Sequence, residues 1–280
     1  MEIKSVAEHM FFSTMRIEAF NSGPNPFSSV GTGFYYAHKT DDNKIIPFVV
    51  TNKHVVNNTD NGIFHFMLGE NSHPKLGDRV DTPIGKDEWE SIWFGHPDNN
   101  IDVAIAPIGH ILHFIEDKLK CKFFIPYIDK TLIPSRETID TIDALEEIVF
   151  IGYPNGIWDE KNYLPIARKG SLATLLNVDF NGKPIFLIDA SVFGGSSGSP
   201  VFIKNSGSYH DKNGTLCIGH RLYLIGILAA SYYHDPIEVS KIDIAKIERN
   251  KKEMIDIGIV YKARTILETI DAYMKQTGQE

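Results

Sequence analysis

The sequence predicts an all-β protein made of two successive β units that end in a single α-helix. Short runs of β-branched and aromatic residues alternate with clusters that favour turns, which is typical of barrels and sandwiches rather than of βαβ units. The 280 residues allow about two folding units. Periodicity of the helical kind is confined to the end of the chain.

Six candidate strands form the first series, all before residue 110. Each combines β-branched or aromatic residues with flanking Gly, Pro, Asn, Asp or Ser, and these flanking residues favour turns. The predicted strands are 13–20, 32–38, 45–51, 62–68, 90–94 and 102–108. We assign residues 1–128 to this N-terminal β domain.

A second series of strands follows and repeats the architecture without repeating the sequence. Its predicted strands are 122–127, 148–153, 164–176, 184–190, 199–203, 222–230 and 255–261. Residues 129–147, rich in Thr, Asp and Glu, are interpreted as the connection between the two domains. Residues 148–263 then form the C-terminal β domain.

Two polar insertions interrupt the second series, at 205–220 and 234–253. The latter is long enough for a helical excursion. Residues 264–280 close the chain, and their apolar side chains recur every three to four residues: Ile266, Leu267, Ile270 and Tyr273. This spacing predicts an amphipathic helix that packs on the core.

Composition and charge exclude several classes of function. Lys and Arg number 28 against 36 Asp and Glu, without a run of five basic residues, so we expect no nucleic-acid partner. The uncharged apolar stretch 222–233 is shorter than the roughly 20 residues that span a bilayer, so we expect no membrane partner. The two cysteines, Cys121 and Cys217, are too few for a disulfide framework and lack metal-ligand spacing. We therefore expect a cytoplasmic protein without a metal or organic cofactor.

The segment 189–202 carries the most informative residues. Four small residues, Gly194 to Ser197, follow one predicted strand, and a second strand follows Pro200. A Gly and Ser cluster also fits a plain surface loop. However, Gly195 can adopt conformations closed to other residues, so consecutive N–H groups can converge while the Ser197 hydroxyl projects beside them. That is the geometry of an oxyanion hole.

This segment resembles the nucleophile loop of chymotrypsin-fold serine peptidases, and it is most similar to their trypsin-like, HtrA-like bacterial members. Other blocks resemble the family in the same order along the chain: the glycine strand 31–34, the histidine strand 50–56, the aspartate block 100–105 and the second-barrel strands 151–154, 226–228 and 257–260. The resemblance extends from about residue 31 to about residue 275. It implies an all-β fold of two Greek-key β-barrels of the chymotrypsin type with a C-terminal α-helix.

The resemblance implies a triad of Ser197, His54 and Asp102. A serine hydroxyl is a poor nucleophile until a neutral imidazole accepts its proton, and a carboxylate orients that imidazole and stabilises the imidazolium. Ser197 is then the nucleophile, His54 the general base and acid, and Asp102 the orienting residue. The N–H groups of Gly195 and Ser197 form the implied oxyanion hole. The implied activity is hydrolysis of peptide bonds through an acyl-enzyme.

Alternative assignments compete with these. Asp98 is a second aspartate near the block, but Asp102 directly precedes the alternating strand pattern. His110 and His113 can share a face of a short helix, but without a third ligand a zinc site is disfavoured. Residues 194–198 fit the Gly-x-Ser-x-Gly elbow of α/β hydrolases, yet that elbow leads into a helix, and here a strand is predicted. A pseudoprotease, which binds without cleaving, is the main functional alternative.

The resemblance places Ser191, Ala229 and Ser231 at the primary substrate pocket. Trypsin carries an aspartate at the position of Ser191, so we expect a preference for small or medium uncharged residues on the N-terminal side of the scissile bond. Asp189 is interpreted as a buried carboxylate that backbone donors satisfy. With an unbent strand it could instead reach a basic substrate side chain.

The resemblance also bears on activation and partners. Ser196 stands where digestive trypsins carry an aspartate that pairs with a newly released N-terminus. We therefore expect that no N-terminal trimming is needed for activity. The expected partner is a protein or peptide substrate, whose selection rests with the barrels or with a regulatory protein partner.

Overall fold

The computed structural model describes residues 1–22, 28–234 and 253–278. The strands of the N-terminal part are β1 Thr14–Phe20, β2 Ser28–Lys39, β3 Ile45–Thr51, β4 Asn61–Glu70, β5 His73–Ile84, β6 Phe94–Gly95, β7 Ala104–Pro107 and β8 Ile128–Asp129. Those of the C-terminal part are β9 Glu147–Gly152, β10 Ile166–Leu172, β11 Ile185–Asp189, β12 Pro200–Asn205, β13 Ser208–His210, β14 Leu216–Ile218, β15 Arg221–His234 and β16 Glu253–Lys262. The α-helices are α1 Val6–Phe12, α2 Lys53–Val56, α3 Lys86–Ile92, α4 Gly109–Leu119, α5 Arg136–Asp140 and α6 Arg264–Thr277. Short 3₁₀ helices are Lys130–Leu132, Pro154–Gly156 and Phe180–Gly182.

Eight strands of the N-terminal part form one sheet, in the order β5-β4-β1-β2-β3-β7-β6 with β8 beside β2. Successive residues of a strand point to opposite faces, so this sheet buries two separate cores. One face contributes Ile17, Val49 and Phe64 to the first core. The other face contributes Phe34 and Phe48 to a core that lies against the C-terminal part.

Six strands of the C-terminal part form a closed barrel in the order β10-β11-β16-β15-β12-β9. Every pair of neighbours is antiparallel. The interior holds large apolar side chains, among them Phe150, Leu172, Phe186, Val201 and Val260. This barrel and the large sheet beside it confirm the predicted all-β class.

A shared core joins the two parts and helix α6. It combines Phe34, Phe48 and Ile105 of the sheet, Phe202, Leu224 and Ile227 of the barrel, and Ile266 and Ile270 of the helix. The ring of Tyr273 meets that of Phe48 edge-on, with 5.4 Å between the centroids. The predicted C-terminal amphipathic helix is therefore confirmed, and it stabilises the contact between the two β units.

The strand predicted at 90–94 is wrong, because helix α3 occupies most of it. Asp87 and Glu88 lie in its first turn, where a helix favours negative charge. Trp89 and Ile92 are buried on one face, one turn apart. The apolar residues thus recur with a helical period that a short window cannot distinguish from strand alternation.

The strand predicted at 122–127 is also wrong, since a single bridge from Phe123 to Leu68 is its only pairing. The sequence pattern also misses β5, because Pro74, Gly77 and Pro83 interrupt its apolar residues. β5 lies at the edge of the sheet, where the missing N–H of proline is tolerated.

Helix α1 is a further departure, because no helix is expected at the start of the chain, whereas α4 lies where a short helix is considered for His110 and His113. Ile111, Leu112 and Ile115 of α4 pack on the first core.

The insertion 205–220 forms a separate hairpin of β13 and β14. The helical excursion expected in 234–253 falls on 235–252, outside the described residues, and the domain boundaries stay predictions. Within the described part, no helix is long and apolar enough to cross a membrane.

Candidate active site

Strand pairing brings His54 and Asp102 together where strand β3 ends and strand β7 begins. β3 pairs with β7, with Thr51 opposite Ala104, so the end of β3 lies beside the start of β7. Asn52 follows β3, is fully buried, and donates its amide N–H to the Asp102 carbonyl oxygen at 2.6 Å. This side-chain bond continues the pairing beyond the strand ends.

The carboxylate of Asp102 uses both oxygens to hold His54. Oδ2 lies 2.5 Å from Nδ1 of the His54 ring, and Oδ1 accepts the His54 backbone N–H at 2.9 Å. Because an ionised carboxylate only accepts hydrogen bonds, we assign the ring proton to Nδ1, which leaves Nε2 as an acceptor. About half of the His54 side chain is exposed, in a cleft lined by Asn21, Lys53, His54, Asn57, Asn58, Asn99 and Asp102.

The turn before Asp102 contains the competing aspartate, Asp98. Its carboxylate accepts the backbone N–H of Asn100 at 2.8 Å, and this hydrogen bond lowers the pKa of Asp98. Lys53 donates to the carbonyl oxygens of His96 and Asp98 at 2.8 and 3.1 Å, and burial lowers the pKa of this lysine. Asp98 thus shapes the turn, whereas Asp102 contacts the histidine.

The loop between β11 and β12 carries Ser197, and two glycines give this loop its path. Gly195 has φ +83°, and a Cβ there would lie 2.4 Å from the Tyr153 carbonyl oxygen. Gly198 has φ +90°, and a Cβ there would lie 1.8 Å from the Thr32 carbonyl oxygen. Only glycine combines these backbone angles with such close approaches.

The N–H groups of Gly195 and Ser197 have no hydrogen-bond acceptor among the described residues. The Gly194 carbonyl accepts the Asn155 N–H at 2.5 Å, and the Ser196 carbonyl accepts the Ser199 N–H at 3.0 Å. In a trans peptide the N–H points away from the preceding carbonyl, so each of the two free N–H groups is turned away from these contacts. The loop therefore offers two backbone donors beside the Ser197 side chain.

The Ser197 hydroxyl donates to the carbonyl oxygen of Ala229 at 2.7 Å. In the described part of the chain, no hydrogen bond joins this hydroxyl to the His54 ring. The structure thus brings His54 and Asp102 into direct contact, whereas the Ser197 hydroxyl bonds to a carbonyl of β15.

Thr32 on β2 connects the nucleophile loop to the first sheet. Its N–H donates to the Ser197 carbonyl at 2.8 Å, and its hydroxyl donates to the Gly195 carbonyl at 2.9 Å. The same hydroxyl accepts the Tyr153 N–H at 3.1 Å. Sequence reasoning noted the 31–34 block but gave Thr32 no role, and it missed Asn52 and Asn155 entirely. The position of Thr32 between two glycines is the only signal that could have singled it out.

The residues predicted for the primary pocket lie on the Ser197 loop and on β15. Ala229 is buried and bonds to Ser197 through its carbonyl, and Ser191 is half-buried. Ser231 belongs to β15, but its side chain lies outside the described residues. Asp189 is exposed at the end of β11, so its interpretation as a buried carboxylate is wrong. Strand β11 ends at Asp189, so its alternation of inward and outward side chains does not continue to Ser191.

Among the residues that the structure describes, no cluster of three or more His, Cys, Asp or Glu could hold a metal ion. His110 and His113 both lie on α4. His110 contacts Glu88 at 3.2 Å.

Residues 31–208 match the sequence model of the trypsin-like peptidase domain family. This match spans more than half of the 280-residue chain and includes His54, Asp102 and Ser197. The chain belongs to the trypsin-like peptidase family. No curated protein sequence matches it.

Several solved structures are similar to this member of the trypsin-like peptidase family. One is the active form of the Rv3671c protease from M. tuberculosis, with 16% identity and a TM-score of 0.48 over 95% of this chain and 82% of that chain. Another is the protease Anisep from Arthrobacter nicotinovorans, with 15% identity and a TM-score of 0.48 over 93% and 94%. A third is Deg5, with 15% identity and a TM-score of 0.47 over 98% and 97%.

Proposed function

We propose that this chain is a serine endopeptidase that hydrolyses peptide bonds of protein substrates through an acyl-enzyme at Ser197. The observation that carries the proposal is the double hydrogen bond between His54 and Asp102. The free N–H groups of Gly195 and Ser197 support it, because they are available to a developing oxyanion. Membership of the trypsin-like peptidase family supports the same reaction class.

Acylation begins when the Ser197 hydroxyl leaves its acceptor, the Ala229 carbonyl, and turns to Nε2 of His54. Its oxygen attacks the scissile carbonyl carbon while the proton passes to the imidazole. Asp102 holds the protonated Nδ1 and stabilises the imidazolium. The Gly195 and Ser197 N–H groups bind the oxyanion, each contributing on the order of 3 kcal/mol.

The imidazolium then gives its proton to the leaving amine as the C–N bond breaks. A water molecule attacks the acyl-enzyme, with His54 again accepting a proton. Collapse of the second oxyanion releases the carboxylic acid product and restores the Ser197 hydroxyl. His54 therefore acts as base and then as acid in each half of the reaction.

Labelling with a fluorophosphonate probe tests the proposal, because the probe reacts with a serine only when a base activates it. We expect covalent labelling, mapped by mass spectrometry to Ser197, and cleavage of a quenched protein substrate. Ser197→Ala should lose both signals. Ser196→Ala is the matched control, since Ser196 is the neighbouring serine and its buried hydroxyl makes no hydrogen bond in the described part. Labelling that persists in Ser197→Ala would contradict the assignment.

A second candidate function is that of a pseudoprotease, which binds proteins without cleaving them. The hydrogen bond from Ser197 to Ala229, rather than to His54, is the observation that favours it. A chain of this kind would bind an extended peptide but would neither react with the probe nor cleave the peptide. The labelling experiment therefore separates the two candidates.

As the place of action we propose the cytoplasm. The use of only two cysteines supports this, since small proteins of oxidising compartments depend on disulfides more often. Fractionation of cells that express a tagged full chain tests it, with recovery in the membrane or secreted fraction as the contrary result.

A further inference from the structure

Arg168 is a half-buried arginine whose guanidinium makes no hydrogen bond or ion pair with any described residue. Its Nη1 atom is buried without a partner. Four other arginines in the described part form ion pairs, as Arg79 does with Asp81 at 2.6 Å and Arg264 with Asp179 at 2.6 Å. Arg136 also lacks a described partner, but it is exposed, so water can solvate it. A guanidinium N–H that is buried away from water requires an acceptor, and Nη1 of Arg168 has none within the described chain.

The strand register places Arg168 beside the core of the C-terminal barrel. It lies on β10 opposite Phe150 of β9, and Phe150 is buried in the barrel core. Leu172, on the same face of β10, belongs to that core too. Gly170 lies between Arg168 and Leu172 on β10. A Cβ at Gly170 would lie 2.4 Å from the Asp189 carbonyl oxygen and 2.8 Å from the Ala190 Cβ. Alternate residues of a strand share a face, so Arg168 projects from the same face of β10 as Gly170. This face packs against Asp189 and Ala190, which lead into the loop that carries Ser197.

The guanidinium of Arg168 lies against two aromatic rings. Its central carbon is 5.1 Å from the centre of the Phe193 ring and 5.6 Å from that of Phe150. Phe193 belongs to the turn of the nucleophile, because its carbonyl accepts the Ser196 N–H at 3.1 Å. Stacking on aromatic faces leaves the in-plane N–H donors free, and their fork geometry matches a carboxylate.

No described carboxylate neutralises this charge. Asp189, the acidic residue at the end of β11 just before the loop, has an exposed side chain. Phe193 is more than one-third exposed, so the surface beside the guanidinium remains accessible. A positive charge without a described counter-ion thus lies against Phe193, two residues from Ser191, which the family resemblance assigns to the primary pocket.

We infer that Arg168 binds an acidic side chain of the substrate at the residue on the N-terminal side of the scissile bond. This inference rests on the proposed peptidase function and gives it a substrate class: proteins cleaved after Glu or Asp. The side-chain carboxylate supplies the acceptor that the guanidinium lacks. The inference departs from the expectation of an uncharged residue, which was based on Ser191 and Asp189 and did not include strand β10.

A library of fluorogenic peptides that varies only this residue tests the inference. We expect the full chain to cleave after Glu or Asp with a kcat/KM about ten- to a hundredfold above that for Gln or Asn, which is the range of a charge-assisted hydrogen bond. Arg168→Gln should abolish the difference, Arg168→Lys should keep part of it, and Arg168→Glu should shift the preference to Lys or Arg. Arg136→Gln is the matched control, because it removes the same charge from an exposed site and should leave the profile unchanged.

The rate of fluorophosphonate labelling at Ser197 verifies that each variant remains folded and reactive, since the probe carries no acidic side chain. Normal labelling with a lost Glu preference in Arg168→Gln supports the inference. Cleavage with a flat, apolar or basic profile that Arg168→Gln does not alter overturns it and leaves the peptidase function intact. Absence of both labelling and cleavage in the unmodified chain refutes the peptidase function, and the substrate class with it. If Arg168→Gln unfolds, the Arg168→Lys and Arg168→Glu profiles decide between the first two outcomes.

Discussion

The two halves of the candidate site are held by different kinds of contact. The half with His54 and Asp102 belongs to the first sheet, where β3 pairs with β7 and Asn52 continues the pairing. The half with Ser197 is a loop, and partners outside it determine its path. These are Thr32 on β2, Tyr153 and Asn155 after β9, and Leu228 and Ala229 on β15.

This difference teaches that the contact between His54 and Asp102 forms within the first β unit, whereas the path of the Ser197 loop depends on direct hydrogen bonds from both β units. The Thr32 N–H and hydroxyl reach the Ser197 and Gly195 carbonyls across the junction. The free N–H groups at Gly195 and Ser197 therefore take their orientation from the docking of the two units. Each prediction below changes one half or the contact between them.

Removing a reacting side chain from either half of the candidate site should cause the largest loss of turnover. We expect Ser197→Ala or His54→Ala to lower turnover by about a millionfold and Asp102→Asn by about ten-thousandfold, because the three groups act as a unit. Steady-state cleavage of a peptide substrate measures this. Thermal unfolding of each variant serves as the control for folding. Comparable cleavage by Ser197→Ala and the unmodified protein would eliminate the triad.

Altering the path of the nucleophile loop should have the next largest effect. Gly195→Ala places a methyl group 2.4 Å from the Tyr153 carbonyl at φ +83°, so the Gly195 N–H should lose its orientation. We expect turnover to fall about 100- to 1000-fold, the effect of losing one oxyanion donor. Gly194→Ala is the matched control, since a Cβ there has only one atom within 4 Å, at 3.8 Å. Equal activities of the two variants would show that the backbone at Gly195 is not critical.

Cutting the contact between the halves should affect both stability and rate. Thr32→Val removes the hydroxyl that serves Gly195 and Tyr153, leaving buried groups without partners. We expect the free energy of unfolding to fall by about 1–3 kcal/mol and turnover to fall about tenfold or more, as a shift of about 1.4 kcal/mol in the transition state would cause.

Thr269→Val is the control for Thr32→Val, because it also removes a fully buried hydroxyl, one bonded to Thr265 within α6. It should lower stability without lowering turnover. If both variants lose turnover to the same degree, Thr32 has no special role in connecting the halves. Chemical denaturation and peptide cleavage are measured on the same samples.

The smallest effect is expected where α6 joins the barrel, away from both halves. Asp179 bonds to Arg264 and Lys262, and the Arg264 hydrogen bond is the main cause that lowers the pKa of Asp179 below its ordinary 3.8. A carboxyl with a depressed folded pKa stabilises the fold above its ordinary pKa, and this contribution is lost as pH falls through the folded value. Burial lowers the pKa of Lys262 despite the pairing, so the prediction rests on Asp179.

Asp179→Asn should therefore be about 1 kcal/mol less stable than the unmodified protein at neutral pH. The difference should shrink as pH falls below about 4, while turnover at neutral pH stays unchanged. Unfolding by urea as a function of pH measures this. A stability difference that persists unchanged into strong acid would show that the ion pairs are not its cause.

The sequence by itself determined which residue types stand at the candidate site. The strand blocks 45–51 and 148–153, and the glycine-serine loop before Pro200, are local patterns of side-chain alternation and turn chemistry. His54, Asp102, Ser197 and Gly195 could be named from such blocks and their order. Local patterns failed at α3 and β5, where tertiary packing and an edge position overrode the alternation of apolar residues.

Only the tertiary structure decided which atoms meet. Thr32 and Gly195 are 163 residues apart along the chain, and Arg168 meets Phe193 because β10 packs beneath the nucleophile loop. Such contacts leave no periodic or compositional signal, because either residue alone is an ordinary strand or loop residue. The same holds for Asp189, whose exposure follows from the end of β11 rather than from its type. Strand alternation depends on residues that are neighbours in the sequence. The packing of the two β units against each other depends instead on residues far apart in the chain.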